Sequence, residues 1–342
     1  MLNGHGDDGY LTGCDIKANF STNVWHHGVS EKLVAHLQQQ LGNVNSYPEV
    51  CAESLSEAIA KKNVLNKEQV LITNGATEAF YLLAQLFEKC SSLIFYPSFA
   101  EYEDACRLFK HELKFEARSN IFEAEITGHN IIWICNPNNP DGKYIPKEKL
   151  IQKITENPHI VFIVDEAYID FVRDSESLLK AINLFPNLVV VKSMTKHYAI
   201  PGLRLGYIAA SEEIVNKLKA IKQPWSVNSL AIQAGNYILN NENLFRLNLR
   251  TEHSEKARFV SELNKIEWIK VSESDTTYFL GHLLKPLSSE LKDFLVKEHG
   301  LLIRDAANFR GLDKHAVRIA TLSKEKNDLL INALNKWSLD YL

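Results

Sequence analysis

The feature that most constrains this chain is a series of short apolar runs, each stopping abruptly at polar or turn-forming residues. Gln69–Thr73 (QVLIT) ends at Asn74-Gly75, Ser92–Tyr96 (SLIFY) at Pro97 and Ile131–Cys135 (IIWIC) at Asn136-Pro137. His159–Val164 (HIVFIV) ends at Asp165, and Leu188–Val191 (LVVV) at Lys192-Ser193. The runs are nearly continuous rather than alternating, so strands built from them need cover on both faces. That is the condition of a mainly parallel sheet sandwiched by helices. Ala76–Phe87 (ATEAFYLLAQLF) has the three-and-four apolar spacing of a buried helix. The expected fold class is α/β.

Beyond about residue 240 the pattern changes. Asn241–Lys265 reads as a helix leaving the sheet domain. Strand-like pieces follow at Trp268–Val271, Thr276–Leu280, Leu301–Arg304 and Ala316–Ala320, and a terminal helix at Lys324–Trp337. This predicts a smaller α+β domain over 241–342 and a large domain over 46–240. Residues 1–45 are expected to form an N-terminal arm and part of the small domain. Pattern alone does not show whether this arm joins the small lobe or lies across the large one.

Composition narrows the function. A net charge of −4 supplies no basic field to recruit nucleic acid or an anionic membrane, and a small polar substrate fits better. No apolar run approaches the ~18 residues of a membrane helix, and the first residues lack a secretory pattern, so a cytoplasmic location is expected. Five cysteines without a C-x-x-C spacing read as buried, reduced thiols, and no metal site is expected. No Gly-x-Gly-x-x-Gly turn follows an apolar strand-like run, as a nicotinamide dehydrogenase needs (the one such spacing, Gly4-His-Gly6-Asp-Asp-Gly9, stands behind Met1-Leu-Asn3), and there is no Gly-Lys-Ser/Thr phosphate loop.

Polar groups collect just past the strand ends: Asn74, Tyr96, Asn136–Asn139, Asp165 and Ser193. Ligands of parallel α/β sheets bind there, outside the carboxyl ends of the strands. The segment Ser193-Met-Thr-Lys196-His-Tyr-Ala-Ile-Pro-Gly-Leu-Arg204-Leu-Gly206-Tyr adds hydroxyls, a lysine and an arginine at the same place. A lysine in a desolvated, cation-rich site has its amine pKa lowered, which favours Schiff-base formation.

That segment resembles the lysine motif of fold-type I pyridoxal 5′-phosphate (PLP) enzymes, the class I/II aminotransferases. The resemblance extends to Thr73-Asn-Gly75-Ala76-Thr77-Glu78-Ala, to Asn136-Pro-Asn-Asn139-Pro-Asp-Gly142 and to Asp165-Glu-Ala-Tyr168, in the family's order. It implies that Lys196 holds PLP as a Schiff base and that Asp165 pairs with the pyridine nitrogen. Tyr168 and Asn139 would bond the cofactor's phenolic oxygen, and Phe99 would stack on its ring. Gly75, Ala76, Thr77, Ser193 and Arg204 would cradle the phosphate at a helix start. Tyr47, in Ser46-Tyr-Pro48, matches a tyrosine that reaches the neighbouring subunit's phosphate, which implies a homodimer with shared active sites. Arg318, in Val317-Arg-Ile-Ala, matches the arginine for the substrate carboxylate. Asp141 and His197 depart from the family pattern without removing a required group.

Within the family the chain resembles two subfamilies, the histidinol-phosphate aminotransferases and the threonine-phosphate decarboxylases. His5-Gly6, Asn19-Phe-Ser-Thr-Asn23, Pro97-Ser-Phe99-Ala-Glu-Tyr102 and Ile303-Arg304-Asp-Ala-Ala-Asn308-Phe-Arg-Gly311-Leu look more like the decarboxylase branch. The leading expectation is transamination of a small phosphorylated amino acid or amine, with decarboxylation of threonine phosphate as the alternative and non-catalytic PLP binding behind both. Both subfamilies imply a second anion site, for which Arg304 leads, followed by His5 and Lys17.

Overall fold

The computed structural model describes residues 6–285 and 287–341. In chain order the strands are β1 (Ala18–Asn19), β2 (Val70–Asn74), β3 (Ser91–Tyr96), β4 (Glu112–Ala117), β5 (Ile131–Cys135), β6 (Val161–Asp165), β7 (Leu188–Ser193) and β8 (Leu205–Ala209). They continue as β9 (Ile269–Val271), β10 (Tyr278–Leu283), β11 (Leu301–Leu302), β12 (Arg304–Asp305) and β13 (Ala316–Ala320).

Seven of them form the central sheet in the order β2-β8-β7-β6-β5-β3-β4, with β8 alone antiparallel to its neighbours. Both faces are covered, as the continuous apolar runs require. Ile132 and Ile134 of β5 face a layer with Leu55, Ile59, Ile232 and Ile238 from helices Glu53–Asn63 and Ser229–Asn240. Ile131 and Trp133 of the same strand face Phe80, Leu83 and Val215 from helices Gly75–Leu86 and Glu212–Ile221. Alternate residues of one strand thus enter two different cores.

A second, antiparallel sheet has the order β12-β13-β10-β9. Phe279, Val317 and Ile319 from its strands pack with Phe259 and Leu263 of helix Leu249–Leu263 and with Leu330 and Leu334 of helix Lys324–Tyr341. The N-terminal stretch is divided between the two cores. Ala18 and Phe20 enter the smaller one, where β1 pairs with β11, while Leu33 of helix Glu31–Gln39 enters the larger. A seam of Tyr168 and Phe171 against Tyr278 and Ala320 joins the lobes, and the Tyr278 hydroxyl donates to the Asn138 carbonyl at 2.7 Å.

Two details depart from the pattern. The helix expected over Asn241–Lys265 is a short turn at Glu242–Phe245 followed by Leu249–Leu263, because the Asn248 side chain caps a new helix by accepting from the Thr251 N–H. Of the five cysteines, all unpaired, only Cys106 and Cys135 are fully buried; Cys14, Cys51 and Cys90 are half-buried. Among the described residues no helix is long and apolar enough to cross a membrane.

Candidate active site

Because β8 runs against the rest of the sheet, its first residue lies at the rim where the parallel strands end. The register places Asn74 opposite Leu205, Ser193 opposite Gly206 and Cys135 opposite Asp165. A cavity of about 100 Å³ sits at this rim, lined by Ala76, Thr77, Phe99, Asn139, Asp165, Tyr168, Ser193, Lys196 and Arg204. It adjoins a wider cleft of about 640 Å³ to which Ser21, Asn23, Tyr81, Glu101 and Arg318 contribute. The amine, the carboxylate and the guanidinium singled out in the sequence therefore face one space.

One end of the cavity is a close-approach cradle. Gly75 opens its helix with φ +75°, and a Cβ on it would lie 2.6 Å from Nη2 of Arg204. A Cβ on Gly206 would stand 2.7 Å from the Ala76 nitrogen. Backbone N–H groups at the start of the helix and a guanidinium thus converge without side chains between them, the donor set an anion needs. The Ser193 and Thr195 hydroxyls lie 2.8 Å apart beside it.

Asp165 belongs to the floor. It is 4% exposed, and burial pushes its carboxyl up to about 6, against the pull of the Tyr102 hydroxyl, which donates to Oδ2 at 2.5 Å, and of the Ala167 N–H, which donates to Oδ1 at 2.9 Å. Lys196 shifts the other way. Burial first, then the positive charges of Arg318 and Arg204, lower its amine to about 8. Its carbonyl accepts the Trp25 N–H at 2.9 Å. Burial also raises the Tyr168 phenol to about 12, so it stays protonated near neutrality. Arg318 is fixed by donating from Nη1 to Asn139 Oδ1 and from Nη2 to the Ser21 carbonyl, while its Nε is buried with no hydrogen-bond partner.

Other expected residues lie elsewhere. Arg304 is buried directly opposite Arg318 in the β12–β13 register, but it does not line the cleft; its Nη2 donates to Asn308 Oδ1 at 2.8 Å. Tyr47 is 84% exposed beside Trp225, away from its own chain's cavity. Lys17 is exposed and packs on Gly300, and His5 falls outside the described residues. The two departures from the family pattern have local roles. Asp141 Oδ1 accepts from Asn138 Nδ2 and the Lys143 N–H, pinning the turn, and His197 bonds the Phe245 carbonyl through Nε2 at 2.7 Å.

Sequence reasoning missed Tyr102, Thr195 and Cys135, which all reach this floor. Thr195 carried a signal, a hydroxyl one residue before the lysine. Tyr102 closes the decarboxylase-like segment Pro97–Tyr102, but nothing there shows what its hydroxyl does, because its ring stacks on Trp133 like an ordinary core aromatic.

The arrangement fits PLP. It offers an amine of lowered pKa, a buried carboxylate that an aromatic ring nitrogen would satisfy, and a cradle for a phosphate dianion. Comparison with known proteins agrees. The chain is 40% identical to the L-threonine-O-3-phosphate decarboxylase of Porphyromonas gingivalis, with a TM-score of 0.92, covering 94% of this chain and 100% of that one. The histidinol-phosphate aminotransferase of Clostridium acetobutylicum is 31% identical, with a TM-score of 0.86, over 94% and 99% of the two chains. The threonine-phosphate decarboxylase of Salmonella typhimurium is 30% identical over 94% of this chain and 91% of that protein. The family profile "Aminotransferase class I and II" matches residues 15–334. The chain therefore belongs to the class I and II aminotransferase family, an α/β enzyme of fold type I whose cofactor is pyridoxal 5′-phosphate.

Proposed function

We propose that the chain acts on a small phosphorylated amino acid and that this substrate is threonine phosphate, which it decarboxylates. The observation that carries this reading is Arg318, a buried guanidinium that lines the cleft and whose Nε has no hydrogen-bond partner, the place for a substrate carboxylate. Arg304 lies directly opposite it in the next strand, outside the cleft lining; burial first, then the charge of Arg318, bring it down to about 10, although Asp305 and Asp8 pull the other way. Threonine phosphate brings a carboxylate to Arg318 itself, whereas in the transamination of histidinol phosphate only the 2-oxoglutarate co-substrate would do so. The likeness to the Porphyromonas gingivalis decarboxylase supports the same reading.

Bound through Lys196, the cofactor supplies an electron sink for the pair left when a bond at the substrate Cα breaks. The residues of the chain decide which bond that is and where the proton goes. Asp165, held by Tyr102 and the Ala167 N–H, would face the ring nitrogen and supply its counter-charge. Arg318, pinned by Asn139 and Ser21, fixes the carboxylate by a bidentate contact. Where Arg318 presents the Cα–carboxylate bond for cleavage, CO₂ would be lost and the Lys196 ammonium would return a proton to Cα. Were the C–H bond presented to Lys196 instead, its amine would take that proton and the outcome would be transamination.

Transamination of histidinol phosphate is the second reading, favoured by the likeness to the Clostridium acetobutylicum enzyme. Assaying each substrate separately for CO₂ and, with 2-oxoglutarate present, for glutamate decides between them. CO₂ from threonine phosphate without glutamate is the expected result. Glutamate from histidinol phosphate with no CO₂ from threonine phosphate overturns it.

Two further parts of the reading concern assembly and place. Tyr47 lies among other exposed apolar residues, Leu41, Val44, Val50 and Trp225, a surface suited to a second copy whose phosphate cradle Tyr47 would reach. Five unpaired thiols favour a reducing compartment, the cytoplasm.

A further inference from the structure

The loop Trp25-His26-His27 plays no part in the chemistry above, yet it brings two imidazoles to one buried carboxylate. Glu252, in the first turn of helix Leu249–Leu263, has a side chain 8% exposed. His26 Nε2 lies 2.8 Å from its Oε2 and His27 Nε2 lies 3.3 Å from its Oε1. Among the described residues these imidazoles are its only ion-pair partners. The three donor groups lie within 4.8 Å of one another.

We propose that His26, His27 and Glu252 form a site for a divalent cation of the zinc class. Two imidazole nitrogens and one carboxylate oxygen are the donors of three-ligand zinc sites that leave a fourth position to water. Metal–ligand bonds of about 2.0–2.1 Å place neighbouring donors of a tetrahedral ion roughly 3.3 Å apart. The separations of 2.8 and 3.3 Å, each to a different oxygen of Glu252, are close to that, and with all three donors within 4.8 Å of one another the exposed His27 ring is the group that would turn to close on the ion. His26 and Glu252 are buried to the same degree, whereas the His27 side chain is 59% exposed, which gives the ion an approach and its water a place.

The position gives the site a consequence. The residue before His26 donates its N–H to the Lys196 carbonyl, and Thr22, Asn23 and Val24 line the substrate cleft. Glu252 stands on a helix of the smaller core. A bound cation would therefore staple one wall of the cleft, through the loop beneath Lys196, to the small lobe.

The test uses cofactor-loaded enzyme stripped with EDTA and titrated with Zn²⁺ against a chromophoric chelator. One Zn²⁺ per chain is expected, with affinity at least tenfold weaker in His27→Ala and in Glu252→Gln. Zn²⁺ should raise the Tm of the wild type and leave that of both variants unmoved. Co²⁺ should give visible d–d bands without thiolate charge transfer, and these bands should vanish in both variants. The exposure of His27 keeps its truncation from disturbing the fold, and an unchanged cofactor absorbance verifies this. Binding equal to wild type in both variants, no stoichiometric binding at all, or a thiolate band from the cysteines each overturns the proposal. In the second case the three residues are a hydrogen-bonded cluster only.

Discussion

Replacing Gly75 by alanine separates backbone strain from the function of the cradle. At φ +75° an alanine sits in the left-handed region, at a cost of about 1–2 kcal/mol that the apo chain bears. Its Cβ also needs the place that Nη2 of Arg204 occupies, 2.6 Å away. That contact is with the far end of a flexible side chain, so the guanidinium moves rather than the helix. Charge-assisted hydrogen bonds are worth about 1.5–3 kcal/mol, which predicts cofactor binding weakened roughly 10- to 150-fold. Arg204→Ala should weaken it comparably with little loss of apo stability. In the Arg204→Ala background, Gly75→Ala should then cost stability as before but almost no further affinity, because the group it displaces is already gone. Spectrophotometric titration with PLP gives the affinities and urea unfolding of the apo chains gives the stabilities. Additive losses of affinity in the double variant, or wild-type affinity in Gly75→Ala, would refute the argument.

Lys196 should become reactive toward amine reagents with a midpoint near pH 8 in the apo chain, and Arg318→Leu should move that midpoint upward by removing the larger of the two repulsive charges; peptide mapping after pulse labelling reads it. Asp165→Asn should stabilise the apo chain above pH 6 while impairing turnover. The folded carboxyl is raised to about 6, so the folded chain holds a proton that the unfolded one has released. Wild-type stability then falls as pH rises from the ordinary carboxylate range to about 6, by up to about 3 kcal/mol, and urea unfolding against pH should show this slope vanish in the variant. Arg310 grips Glu103 of the other lobe and lies 3.8 Å over the Phe115 ring, but the pair is partly solvated. Arg310→Ala should cost no more than about 1 kcal/mol of stability, measured by urea unfolding, and act instead on KM, where an unchanged KM would deny it a role in holding the lobes together.

The sheet was legible because its inner strands have no polar face. β5 and β6 enter two cores at once, so their sequences are continuous apolar runs with sharp ends, and those ends mark the rim. The two strands that went unread fail this condition. β4, at the edge, alternates Glu112, Lys114 and Glu116 with Leu113 and Phe115 and resembles an exposed segment. β8 is only Leu205–Ala209, directly behind a motif whose residues had been read for their chemistry. The lining of the cavity followed from the strand ends because local chain direction aims those residues. Arg304 did not, since whether a residue of a two-residue strand faces the cleft depends on how the small lobe is docked. Tyr102 illustrates the same limit from the other side: a buried aromatic on a helix gives no sign that its hydroxyl reaches a carboxylate 63 positions away.

The unread β8 is also what makes the site possible. A sheet parallel throughout would start β8 at the opposite edge, and Arg204, the residue before it, would lie a full strand length from Asp165 and Ser193. Reversing that one strand between β2 and β7 returns its beginning to the rim, beside the helix start at Gly75. The cost appears in the charges collected there. Arg318 and Arg204 both act on Lys196, Arg318 acts on Arg304, and Asp165 is driven toward its neutral form. Apolar side chains would be more stable in every one of these places, and the two large cores on either side of the sheet supply the stability that tolerates them. Each shifted group would be relieved by a partner of opposite charge, an anion for the cations and a protonated ring nitrogen for the carboxylate, which the cofactor and the proposed substrate would bring.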